Sequence, residues 1–164
     1  MRTVGMIGGL GPESTVDYYR SIVARFRARK PEAGYPHVII NSLDVDKGIA
    51  MLDAGRLDNL ADYLGAAVDL LVRAGADFGF IAANTPHLVF DEVQHGSAIP
   101  LLSIVRATCN HARALGLKKV GLFGTGLRCE RASTQRSSSV LASPWFGQRR
   151  QSRNSFTGST LVNC

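Results

Sequence analysis

Three short polar segments of this 164-residue chain carry the groups best suited to chemistry. Gly8-Gly9-Leu10-Gly11 offers bare peptide groups that a ligand can approach closely. Asn84-Thr85-Pro86-His87 places an amide, a hydroxyl and an imidazole side by side, and Gly124-Thr125-Gly126 adds a second hydroxyl. Donors of these types suit a small anion or a carboxylate. Each also has a plainer reading. Taken singly, Asn84 and Thr85 are caps for a following helix, and His87 is a packed or capping histidine. Gly8-Gly9-Leu10-Gly11 departs from the GxGxxG pattern, and no acidic residue ends the second predicted strand, which argues against a dinucleotide site. Cys109, Cys129 and Cys164 stand at unrelated spacings and make neither a disulfide framework nor a zinc site. Cys109 falls within a predicted helix and reads as an inert thiol. No metal and no cofactor are expected.

The elements that must position these loops are legible from hydrophobic period. Thr3–Ile7 is a buried strand ended by Gly8-Gly9. Ser14 or Thr15 is expected to cap a helix that places Val16, Tyr19, Ile22, Val23 and Phe26 at helical spacing. Val38–Ile40 follows as a strand after Pro31, Gly34 and Pro36. Leu57, Leu60, Ala61, Leu64, Val68, Leu71 and Val72 form the clearest amphipathic helix, which stops at Gly75-Ala76-Asp77. Phe78–Ala82 is a strand, and the Asn84–His87 loop leads into a short helix through Val93. Pro100–Ile104 is a strand, a helix runs to about Leu115, and Lys119–Phe123 is a further strand. Strands alternating with helices predict an α/β fold, a parallel sheet with helices on both faces. All three polar loops follow strands, so all three are expected at the carboxyl edge, where such sheets bind ligands.

Charge divides the chain. The net charge is +6, but residues 127–164 hold six arginines against Glu130 alone, so residues 1–126 are close to neutral. The folded part therefore offers no electrostatic case for binding nucleic acid. The sequence has no apolar run long enough to span a membrane and no signal-peptide pattern at its start, which predicts a cytoplasmic protein.

In order and spacing, IGGLGPESTVDYY (7–19), IAANTPH (81–87) and KKVGLFGT (118–125) resemble the aspartate/glutamate racemase family. GAD (75–77) and PLLSI (100–104) stand where that family has similar segments. The resemblance implies one of two facing α/β domains and a PLP-independent amino-acid racemase (an isomerase). Its chemistry removes an α-proton with one thiol and returns a proton from the other face with a second. It implies a small-molecule amino acid as partner, no cofactor, and a homodimer. Residue by residue, it gives substrate-binding roles to Gly8, Gly9, Asn84, Thr85, His87 and Thr125. An acidic substrate also needs a cation for its distal carboxylate, and Lys47 is the candidate, with no motif behind it.

One departure limits what the resemblance implies. The family's first catalytic residue, Cys or Thr, stands just before the Asn-Thr pair, where this chain has Ala82 and Ala83. Neither carries a proton. The second cysteine belongs to a second domain not recognisable here. The expected reading is a racemase homologue over residues 1–126, interrupted after its first domain and without both catalytic thiols. The alternative is a non-catalytic module that binds an amino acid or a small carboxylate.

Residues 127–164 contain eight serines, six arginines and no apolar period, and are expected to be irregular or disordered. With permitted codons, residues 128–136 read M-R-A-G-F-Y-P-E in another frame. In that same frame residues 150–164 read A-E-Q-E-F-I-H-G-Q-Y-F-G-E-L. Both strings are family-like. This predicts an insertion or deletion near codons 125–128.

Overall fold

The computed structural model describes residues 1–117 and, as backbone strands, 119–123 and 159–163. It divides into two compact units, Met1–Val105 and Arg106–Cys164. The first unit carries a four-stranded parallel sheet of order β2-β1-β3-β4, made by β1 (Val4–Gly8), β2 (Val38–Ser42), β3 (Phe78–Ile81) and β4 (Leu101–Leu102). β1 has a strand on each side and is buried throughout, as its unbroken apolar run requires.

Alternation along β1 and β3 supplies two cores. Ile7 and Ile81 point to one face, where they meet α3 (Leu57–Arg73) and α4 (Phe90–Gly96) through Leu60, Leu64, Val68, Leu71, Phe90 and Val93. Met6 and Phe80 point to the other face, where α1 (Pro12–Arg29) supplies Tyr18 and Ile22. Tyr18 meets Phe80 edge-on, with ring centroids 5.2 Å apart, and burial pushes its phenol above the ordinary tyrosine value. α3 ends as its sequence suggests. Gly75 takes φ +91°, and the Ala76 N–H closes back on the Leu71 carbonyl at 3.0 Å.

Several expected boundaries shift for local reasons. α1 begins at Pro12, with Gly11 as its N-cap, rather than after Ser14 or Thr15. Proline is pre-set for the first helical position, where its missing N–H costs nothing. The Ser14 and Thr15 hydroxyls instead turn back to the Gly11 carbonyl, at 3.0 and 3.2 Å. α2 (Val45–Asp53) was not anticipated; Asp44 caps it by accepting from the Asp46 N–H at 3.0 Å. β4 is shorter than Pro100–Ile104. Pro100 has no N–H to give the ladder, though its carbonyl accepts from Gly79, and Ile104 already opens α5 (Ile104–Ala114).

In the second unit, β5 (Lys119–Phe123) occupies the predicted residues but not the predicted partnership. It pairs antiparallel with β6 (Ser159–Asn163) in a two-stranded sheet. β6 lies within the segment expected to be irregular. Thr125 and the rest of residues 124–158 lie outside the described residues.

Candidate functional site

The order of the strands sets the position of the site. From β1 the chain moves outward to β2, then crosses back over β1 to β3 and on to β4. Right-handed crossovers in opposite directions must use opposite faces of the sheet. α1 accordingly packs on the Met6 face, and α3 and α4 on the Ile7 face. The loops that leave β1 and β3 therefore diverge to opposite sides, opening a crevice at the carboxyl ends of these adjacent strands. Ile7 pairs with Ile81, and the ladder continues one step further as the Ala82 N–H donates to the Ile7 carbonyl at 2.8 Å. Gly8 and Gly9 thus leave the sheet beside Ala82 and Ala83. The first two polar segments leave neighbouring strands at the same edge of the sheet; the third, with Thr125, lies outside the described residues.

The first loop permits only glycine at its turn. Gly9 has φ +81°, and a Cβ there would fall 2.2 Å from the Leu43 carbonyl oxygen. A Cβ on Gly8 would fall 2.6 Å from the Thr15 methyl. The Gly8 carbonyl accepts from the Leu43 N–H at 2.9 Å, and the Gly9 N–H donates to Thr15 Oγ1 at 2.9 Å. The Gly9 N–H is thereby engaged by the protein itself. Glycine is required here by the protein's own packing against Leu43, Ser42 and Thr15. Thr15 is a positioning residue that sequence reading took only for a cap. Its signal was a hydroxyl in the first helical turn, six residues after Gly9, where it can fold back on the preceding loop.

In the second loop the two alanines are distinct. Ala82 is 1% exposed and packs in the core with Val4, Met6 and Phe80. Ala83 is half-buried and already off the strand. Of the two positions where the resemblance expects a proton carrier, only Ala83 lies outside the core. Asn84 is exposed and makes no side-chain cap bond to the 3-10 turn Thr85–Val89 that follows, which removes the capping explanation for its amide. Thr85 is half-buried at the start of that turn. His87 braces the loop: its Nδ1 lies 2.9 Å from the Ala83 carbonyl, and the ring stacks on Phe90 with centroids 5.0 Å apart. A carbonyl only accepts, so Nδ1 carries the hydrogen.

Lys47 is exposed in the first turn of α2. Its neighbour Gly48 is buried against Leu10 of the first loop, so α2 reaches the same edge of the sheet. Among the described residues no His, Cys, Asp and Glu cluster forms that could hold a metal ion, and no helix is long and apolar enough to cross a membrane.

Comparison with known proteins agrees with this geometry. The family model for Asp/Glu/hydantoin racemase matches residues 7–142. The broad specificity amino-acid racemase RacX of Bacillus subtilis (strain 168) is 26% identical over 111 residues, covering 64% of this chain and 47% of that protein. Two crystal structures superpose on 72% of this chain and 51% of their own. One is of a protein assigned as an Asp/Glu racemase from Yersinia pestis (30% identity, TM-score 0.68). The other is of an aspartate racemase homologue from Pyrococcus horikoshii OT3 (34% identity, TM-score 0.62). The chain spans about half the length of these relatives. The motifs, the strand order and the match over most of the sequence agree: the chain belongs to the Asp/Glu/hydantoin racemase family.

Proposed function

We propose that this chain carries the amino-acid-binding half of a PLP-independent racemase site, without the thiol that moves the proton. The observation that carries this reading is the meeting of the Gly8-Gly9 and Asn84-Thr85 loops at the switch between β1 and β3 in a member of a racemase family. The Gly8-Gly9 loop forms one wall of the ligand site, and Asn84 and Thr85 donate to the ligand's α-carboxylate. His87 holds their loop through the Ala83 carbonyl. Thr125 is a further carboxylate contact, and Lys47 answers a distal carboxylate.

Racemisation of an amino acid requires an acid and a base on opposite faces of the α-carbon, and donors that stabilise the charge developing on its carboxylate. The proposed donors serve the second need. Ala83 cannot serve the first, and neither can Ala82 in the core. The chain therefore binds without catalysing exchange. L-Aspartate and L-glutamate are expected to shift the amide resonances of residues 8–11 and 83–87 saturably in NMR titrations. In D2O their α-protons are expected to remain unexchanged over the same period. Exchange at a rate above the buffer control would overturn the non-catalytic part of this reading, and failure of both amino acids to bind would overturn the rest.

Residues 127–164 belong to the same proposal as an out-of-frame continuation of the family sequence. Sequencing the coding DNA is expected to show one alternative frame that encodes both family-like strings. If no single frame contains both, residues 127–164 are a genuine segment of this protein.

A further inference from the structure

We propose a second binding site, at the opposite end of the sheet, for an amphipathic carboxylate: an anionic head on a short hydrocarbon body. A cavity of about 590 Å³ lies under the C-terminal end of α1. Val4 opens β1, Phe78 opens β3 and His37 precedes β2, so this cavity sits at the amino ends of the strands. The candidate amino-acid site is at their carboxyl ends. The volume lies within the range of small-molecule pockets, roughly 300–1,000 Å³.

Its floor is apolar and incompletely covered. Ile22, Phe26 and Phe78 line it and are each only half-buried, so hydrocarbon seated there would remove apolar surface from water. The rim is cationic. Arg2, Lys30 and His37 all line the cavity, and no carboxylate is among its lining residues. These three come from separate stretches of chain: before β1, after α1 and before β2. The pull of the helix dipole on cations near its C-terminus accounts for Lys30 alone. It does not account for Arg2 and His37 gathering at the same opening. Two acids stand nearby: Asp77 is turned elsewhere, accepting from the Thr3 N–H at 2.6 Å, and Glu32, exposed in the turn between Lys30 and Ala33, is not among the lining residues. An apolar floor under three converging donors of positive or ionisable character selects a ligand with one negative end and one greasy end. A free amino acid, charged at both poles and short, has little to gain on such a floor.

Calorimetric titration of the full chain tests this, with octanoate as the probe below its micelle concentration and octanol as the neutral match. Octanoate is expected to bind saturably, about fivefold more tightly than octanol, the scale of two partly screened surface charge contacts. The double variant Arg2→Gln/Lys30→Gln is expected to remove that preference while leaving octanol binding as it was. Phe26→Ser is expected to weaken both ligands. Saturating L-aspartate is expected to leave octanoate binding unchanged, which separates this site from the amino-acid site whatever becomes of that reading. Non-saturable octanoate binding overturns the proposal. So does equal affinity for octanol, or an octanoate affinity indifferent to both variants. Arg2 and Lys30 are exposed, so loss of fold does not confound the double variant; unchanged thermal unfolding verifies it.

Discussion

Gly9→Ala is expected to abolish saturable amino-acid binding and to destabilise the chain by about 3 kcal/mol, the sum of a left-handed backbone penalty and of overpacking. Two independent obstacles meet at this residue. Its φ of +81° is one that L side chains rarely adopt, and the added carbon would lie 2.2 Å from the Leu43 carbonyl oxygen and 2.7 Å from Ser42 Oγ. Both neighbours belong to the end of β2 and the chain just beyond it, so relief requires the loop or β2 to move. The loop is also where Gly8 and Leu43 exchange a hydrogen bond, which the same movement would break. Urea unfolding reads the stability, and NMR titration with L-aspartate reads the site. Thr15→Val provides the graded comparison. It keeps the shape of the side chain but leaves the Gly9 N–H without its 2.9 Å acceptor, a loss on the order of 1 kcal/mol. A Gly9→Ala protein with unchanged stability and binding would show that the loop is softer than its geometry implies.

Leu64→Ala is expected to cost about 2–5 kcal/mol, the range for deleting a fully buried leucine when its surroundings cannot collapse. Leu64 is 0% exposed and sits in the core on the Ile7 face, together with Leu60, Val68 and Val93. Against a typical domain stability of about 5–15 kcal/mol, this is a large fraction. Leu70 on the same helix is 49% exposed, and Leu70→Ala serves as the control expected to stay within about 0.5 kcal/mol. The contrast is read by thermal or denaturant unfolding. If the two substitutions cost the same, α3 does not pack on the sheet by the face assigned to it.

That face was legible because its signal is long and regular. Leu57–Arg73 repeats its apolar residues over several turns, and β1 and β3 are short apolar runs that end in a glycine pair and in a polar loop. The meeting of the first two polar segments at one edge followed from alternating strands and helices. What escaped reading depends on single contacts. The start of α1 turned on whether Pro12 or a hydroxyl would define the first turn. α2 has nine residues and one capping aspartate to announce it. The partner of β5 is a non-local choice that its own five residues do not encode. The same holds within the site. Sequence placed Ala82 and Ala83 as equivalent candidates, and only strand alternation, which sends Ala82 into the core beside Met6, separates them.

The bracing of the two loops bears on selectivity. The first is fastened to α1 through Thr15 and to the end of β2 through Leu43. The second is fastened to its own turn and to α4 through His87 and Phe90. They meet through the ladder between β1 and β3, where Ile7 receives the Ala82 N–H. The aperture between the loops is therefore governed by the twist angle of two neighbouring strands. Such an angle is stiff, because cores on both faces would have to shear to change it. If the proposed amino-acid site is correct, ligands are expected to be sorted by the width of the group that enters between the loops, the crevice serving as a fixed-gauge caliper.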